Sequence, residues 1–248
     1  MAHGLPLVRY GLTSDGHFVW TVHHAVYDGW SLPLVFDQLQ TAYEHSTLPG
    51  TAPGFNTFIK HMLQTNAEAT QTFWMQQLDS PGHSSSFPEL RCASYRPSVC
   101  QITRHIIPFS PSSQTQTLKT TVHRAARALL LPFYAESQDV IFGTTLSGRN
   151  GNVPGIDRMV APLITTVPVR VQLASALSVA DFLRQVQQQA TDMIPHEYYG
   201  LQKIASLSNA CARAVEFQNL FVIQPSSATT TADGRFLGCE LPLQGFDS

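Results

Sequence analysis

HFVWTVHHAVYDGWSLPLVFDQLQTAYEH, His17 to His45, is the stretch that decides the fold. HFVWTVHH alternates loosely and is rich in aromatic and β-branched residues, so it predicts a strand ending at two histidines. AVYDG then reads as a tight polar turn. In SLPLVFDQLQTAYEH, Ser31 stands where a helix cap belongs, and Leu34, Leu39, Ala42 and Tyr43 form an apolar face. This strand, turn and helix place His23, His24, Asp28 and Gly29 at one strand end. A base, a carboxylate and a glycine there are what the activation of a weak nucleophile needs. By residue type alone, two adjacent histidines are more often structural or surface residues than catalytic ones. Adjacent strand residues point to opposite faces, which argues against a shared metal ion. The same alternation predicts that one histidine faces a reaction channel while the other packs inward.

Outward from this unit, a Pro/Gly-rich loop at residues 48–54 leads to a long helix expected over Phe55 to Leu78. A Ser/Pro/Gly linker follows from Asp79 to Pro88. A strand is expected over Val99 to Pro108, and a helix over Ser112 to Tyr134 with Ala125, Ala128 and Leu129 on its buried side. VIFGTTLSG reads as a buried strand. LITTVPVRVQL, Leu163 to Leu173, reads as a strand whose Pro168 argues for an edge or a bulge. Ser178 caps an amphipathic helix in which Val179, Phe182, Leu183, Val186, Ala190 and Met193 recur at helical spacing. FQNLFVIQ, Phe217 to Gln224, reads as a last apolar strand. The alternation of strands and helices predicts an α/β (mixed α+β) fold.

Composition narrows the function classes. The 248 residues carry 13% charged side chains and a net charge of −2, without a Lys/Arg cluster, so nucleic acid is not an expected partner. No stretch reaches the roughly 18 apolar residues of a membrane span, and there is no signal-peptide pattern, so the expected location is cytoplasmic. Cys92, Cys100, Cys211 and Cys239 lie far apart with no Cys-x-x-Cys pair, and read as reduced thiols rather than a zinc site or a disulfide framework.

VHHAVYDGWSL, Val22 to Leu32, resembles the HHxxxDG signature of nonribosomal peptide synthetase condensation domains, members of the chloramphenicol acetyltransferase-like superfamily. DVIFGTTLSGRN (Asp139 to Asn150), GIDRMVAPLITTVPVRV (Gly155 to Val171), IPHEYYGLQKI (Ile194 to Ile204) and FQNLFVIQP (Phe217 to Pro225) resemble further blocks of that family, in order and in the style of filamentous-fungal synthetases. The resemblance implies a two-lobed fold with a tunnel admitting a pantetheine arm from each side. Residues 1–80 would end the first lobe, 81–98 would be a linker, and 99–248 would form a shortened second lobe. The family's upstream motifs are absent and no terminal block follows Cys239, so a fragment, incomplete at both ends, is expected.

The implied reaction is amide formation between a donor aminoacyl or peptidyl thioester and an acceptor amine, both held on carrier proteins. His24 would orient or deprotonate the amine, Gly29 would let the backbone approach substrate, and His23 would pack or hydrogen-bond in the core. Asp28 would form a structural ion pair, with Arg149 of Ser-Gly-Arg as its candidate partner. No metal or intrinsic cofactor is implied, and phosphopantetheine belongs to the partner carriers. The implied partners are upstream and downstream peptidyl carrier domains and an adjacent adenylation domain. Trp30 after Gly29 differs from the order in epimerising relatives, and the intact first histidine differs from many cyclising ones. Two alternatives remain: a coenzyme A-dependent acyltransferase of the same superfamily, and a catalytically inactive carrier-docking fragment.

Overall fold

The computed structural model describes residues 4–47, 50–79, 87–88, 92, 95–96, 98, 101–106, 119–173, 177–223, 235–236 and 239–240. They form two compact units interleaved along the chain: 1–65 with 147–165 and 224–248, and 66–146 with 166–223. The resemblance implied a different division, into a first-lobe end at 1–80 and a second lobe at 99–248. Most of the expected linker at 81–98 lies outside the described residues.

In the first unit, β1 (Val8–Leu12) and β2 (Phe18–Val22) form an antiparallel hairpin that pairs Val8 with Val22 and Leu12 with Phe18. Its loop closes through Thr13 N to His17 O at 2.9 Å. The register puts Val8, Tyr10 and Leu12 on the same face as Val22, Trp20 and Phe18. Helix α1 (Ser31–His45) meets that face through Phe36, whose ring stands edge-on to Trp20 at 6.2 Å. The expected apolar face of α1 is corrected in part, since Leu39 and Tyr43 are exposed. Ser31 is the first residue of α1 and not its cap, for a reason given with the site below.

The long helix expected over 55–78 is two helices, α2 (Phe55–Gln64) and α3 (Ala67–Leu78). The break at Thr65 and Asn66 is a helix start: the Asn66 side chain accepts from Ala69 N at 3.1 Å and caps α3. Helix α3 belongs to the second unit.

That unit is built on three strands, β3 (Asp139–Leu146), β4 (Thr165–Gln172) and β5 (Leu220–Val222), in the order β4-β3-β5. β3 and β5 are parallel, pairing Gly143 with Leu220. β4 lies at the edge of this sheet, where the missing N–H of Pro168 is tolerated. Helices α4 (Lys119–Ala135), α5 (Val179–Met193), α6 (Leu201–Ala205) and α7 (Asn209–Ala214) complete the unit, with α4 packed on both α5 and β3. Trp74, Ala128, Phe142, Val167, Val169 and Ile204 are fully buried in its core.

Polar contacts tie the layers. Trp74 Nε1 donates to His196 O at 3.1 Å, and the His196 ring stacks on Phe73 at 4.3 Å. The Arg170 guanidinium forks onto Asp139, Nε to Oδ1 at 2.8 Å and Nη2 to Oδ2 at 2.7 Å, pinning β4 to the start of β3. The strand expected over 99–108 is irregular where described, at 101–106, and the rest lies outside the described residues. The expected start of α4, 112–118, lies outside them too. Leu129 of α4 and Val179 of α5 are exposed, not buried as their spacing suggested. The last strand shrinks to Leu220–Val222. A further two-strand pairing joins β6 (Arg235–Phe236) to β7 (Cys239–Glu240). No helix among the described residues is long and apolar enough to cross a membrane.

Two tests follow from the second unit. A Cβ on Gly143 would lie 2.1 Å from the Phe217 ring, so Gly143→Ala should cost about 1–3 kcal/mol in denaturant unfolding, by overpacking. Adding Phe217→Ala should return part of that loss, and a strictly additive double variant would refute the close approach. Burial pushes the Glu197 carboxyl up to about 7, against the opposing pull of the Arg124 charge. A raised carboxyl pKa contributes stability that is complete below the unfolded value of roughly 4.3 and lost as pH rises through the folded value. Unfolding midpoints of the native chain should therefore fall between those values, and Glu197→Gln should flatten that fall.

Candidate active site

The hairpin delivers the histidines. His23 N donates to Leu7 O at 2.8 Å, the last bond before the chain leaves the strand pairing. His23 is extended, with φ −79° and ψ 136°, and caps a single 3₁₀ turn, His24–Val26, by accepting from Ala25 N on its Nδ1 at 3.1 Å. His24 therefore lies beyond the strand, and strand alternation does not govern it. The expectation of an inward-packed His23 is corrected: both histidines are exposed, because the chain turns out of the sheet at His23.

Their ring nitrogens are set oppositely. His24 Nδ1 lies 2.9 Å from Tyr27 O. A carbonyl only accepts, so His24 Nδ1 carries the hydrogen and the neutral ring leaves a lone pair on Nε2. His23 Nδ1 accepts from a backbone N–H, so its neutral ring carries the hydrogen on Nε2. One exposed turn thus presents an accepting Nε2 and a donating one.

Asp28, four residues after His24, is fully buried. Its Oδ1 accepts from Ser31 N at 2.8 Å and from Ser31 Oγ at 2.7 Å, and its Oδ2 accepts from Leu163 N at 2.9 Å. The bond to Ser31 N explains the start of α1: the Asp28 carboxylate satisfies the first amide, and the Ser31 hydroxyl is used elsewhere, accepting from Ala161 N at 3.1 Å. Arg149 Nη2 reaches both Asp28 oxygens at 3.1 Å. Its Nη1 is taken by two carbonyls, Ile156 O at 2.7 Å and Met159 O at 2.8 Å, while Nη2 also meets Ala161 O at 3.2 Å. Burial alone would raise the Asp28 carboxyl, but the Ser31 and Leu163 donors and the Arg149 charge outweigh it and hold it below the usual carboxylate range.

Trp30 closes this cluster. Its Nε1 donates to Asp157 O at 2.9 Å, and its ring centroid lies 5.7 Å from Arg149 Cζ. Gly29 is corrected. Its φ is not positive and a Cβ there would meet nothing within 4 Å, so no backbone constraint of this chain requires glycine at that position. What residue patterns missed is the lining of the ion pair: the Ser31 hydroxyl and the carbonyls of Ile156, Met159 and Ala161. The hydroxyl had been read only as a cap, and carbonyls leave no mark in a sequence. Among the described residues no group of three or more His, Cys, Asp or Glu side chains is placed to hold a metal ion.

Removing Arg149 leaves a buried carboxylate without its counter-charge, so Arg149→Ala should cost about 3–5 kcal/mol in denaturant unfolding. An unchanged midpoint would show that the pair contributes nothing. The lowered Asp28 pKa makes its contribution complete above the unfolded value of roughly 3.9 and lost as pH falls through the folded one. Asp28→Asn should therefore shrink the acid loss of stability while lowering stability near neutrality.

Comparison with known proteins places the chain in a family. The condensation domain profile matches residues 2–237. Nonribosomal peptide synthetase atnA of Emericella nidulans is 44% identical over 94% of this chain, and nonribosomal peptide synthetase dtxS1 of Metarhizium robertsii is 41% identical over 94%. The chain spans only 3% of either relative's length. Among solved structures, holo T3CT superposes with a TM-score of 0.67 at 26% identity, covering 89% of this chain and 51% of that one. The starter condensation domain of rhizomide synthetase RzmA shares the fold at 15% identity, with a TM-score of 0.61 over 89% of this chain and 53% of its own. With its mixed α/β, chloramphenicol acetyltransferase-like architecture and its fungal relatives, the chain belongs to the condensation domain family of nonribosomal peptide synthetases.

Proposed function

We propose that this chain forms amide bonds between two carrier-bound building blocks, with His24 as the group that receives the acceptor amine. The observation that supports this reading is the tautomer of His24: with Nδ1–H committed to Tyr27 O, the exposed Nε2 keeps a lone pair. The amine nitrogen attacks the donor thioester carbon, a C–N bond forms and the C–S bond breaks. The amine proton passes to Nε2 and then to the departing thiolate sulfur. The thioester supplies the energy, so the chemistry calls for no metal or diffusible cofactor. The phosphopantetheine arms belong to the upstream and downstream carrier domains and enter as substrates, and the amino acids are chosen by an adjacent adenylation domain in the cytoplasm.

The other site residues divide by burial. His23 presents an Nε2–H and serves as a donor beside the base. Asp28 and Arg149 hold the turn and touch no substrate, because both side chains are buried in their own hydrogen bonds. Gly29 faces open space, which suits passage of substrate past a backbone without a Cβ.

Quench-flow with mass spectrometry, using two carrier proteins loaded with aminoacyl thioesters, tests this reading. His24→Ala should lower formation of the dipeptidyl thioester by about a hundredfold or more, the range of a positioned general base, with the fold retained. Equal product from the variant would overturn the catalytic role. Product from soluble acyl-coenzyme A in place of the donor carrier would favour the acyltransferase alternative. A folded chain that binds carriers and makes no product would be a docking module.

A further inference from the structure

We propose that Tyr27 is a positioning residue that clamps His24 in its reactive tautomer and orientation, a role that rests on reading His24 as the base. The imidazole and the Tyr27 ring stack with centroids 4.7 Å apart and planes 11° apart. The same residue's carbonyl takes the His24 Nδ1–H at 2.9 Å. Among the described residues no other hydrogen bond or ring contact reaches this imidazole. That matters because His24 is exposed, and an exposed side chain otherwise samples several rotamers.

Local backbone geometry brings both contacts from one residue. After the 3₁₀ turn His24–Val26, Tyr27 is extended, with φ −148° and ψ 162°. Its carbonyl therefore comes within reach of Nδ1 while its ring lies parallel to the imidazole. The hydrogen bond fixes one edge of the ring and the stack fixes its plane, which together fix χ1 and χ2 of His24. Nε2, across Cε1 from the bonded nitrogen, is left directed away from the Tyr27 carbonyl. Tyr27 is itself held by its neighbour, since Asp28 is locked by Ser31, Leu163 and Arg149. The clamp transmits the rigidity of the buried ion pair to an exposed base.

Nitrogen-15 NMR of the His24 ring in the full chain reads the tautomer without turnover. The native chain should show a single neutral species protonated on Nδ1. Tyr27→Ala should show both tautomers, and Tyr27→Phe, which keeps the aromatic face, should restore the native pattern. In the condensation assay Tyr27→Ala should lose about three- to tenfold in kcat, the range that such a stack supplies, at unchanged KM for the carriers, with Phe near native. A single Nδ1–H tautomer in Tyr27→Ala, or a Phe variant as impaired as Ala, would overturn the proposal. If Tyr27→Ala does not fold, Tyr27→Leu, apolar but without a π face, is read by the same criteria. A chain with no turnover in which the tautomers follow this pattern retains the clamp and refutes only the catalytic reading.

Discussion

The candidate site in the first unit is built around one buried carboxylate, that of Asp28. A charge taken out of water is tolerated only where donors replace its hydration, and here an amide and a hydroxyl from Ser31, the amide of Leu163 and the Arg149 guanidinium do so. The guanidinium in turn orders a stretch of chain that has little regular structure, by binding the carbonyls of Ile156, Met159 and Ala161. Such a network specifies one arrangement because each member satisfies the others, and a half-formed version costs more than none. The start of helix α1, the turn after β2 and the 156–163 segment are three consequences of the same constraint.

The division between this buried network and the exposed histidines suits the proposed reaction. Under that proposal, a base that accepts a proton from an amine on a long flexible arm must be reachable, so it cannot be held by burial. His24 is held instead by local contacts within one turn, and that turn is anchored one residue further on by Asp28. The adjacent His23 shows that adjacency alone does not define a role. Its Nδ1 is spent on accepting from Ala25 N, which gives it the opposite tautomer to its neighbour.

How much of this was legible follows from which groups carry the information. HFVWTVHHAVYDG announced a strand, a turn and a titratable cluster, and the family signature named Asp28 and Arg149 as partners, because those are side chains in recognisable order. The carbonyl lining of Arg149 was not legible, since every residue offers a carbonyl. The inward placement of His23 failed because alternation was extended one residue past the end of the strand. The break between α2 and α3 was missed because Gln64 to Ala67 holds no Gly or Pro to interrupt a helix, and only the Asn66 side chain marks a new start. Leu39, Leu129 and Val179 show the limit of periodicity, which names a face without saying how much of it a small set of elements can cover.

Two buried acids show how burial is resolved in opposite directions. Asp28 sits among donors at hydrogen-bond distance, and its charged form wins; for Glu197 burial outweighs the attraction of Arg124, and the proton is favoured up to about neutrality. The pH dependence of stability therefore belongs to different parts of the molecule, a loss on acidification to the unit that carries the histidines and a loss as pH rises toward neutrality to the other. A fall in rate toward neutrality that tracks unfolding reports on the packing around Glu197, whereas a change with the fold intact reports on the candidate site. Measuring stability and rate on the same samples separates the two, and without that separation a pH profile of this chain cannot be assigned to its histidines.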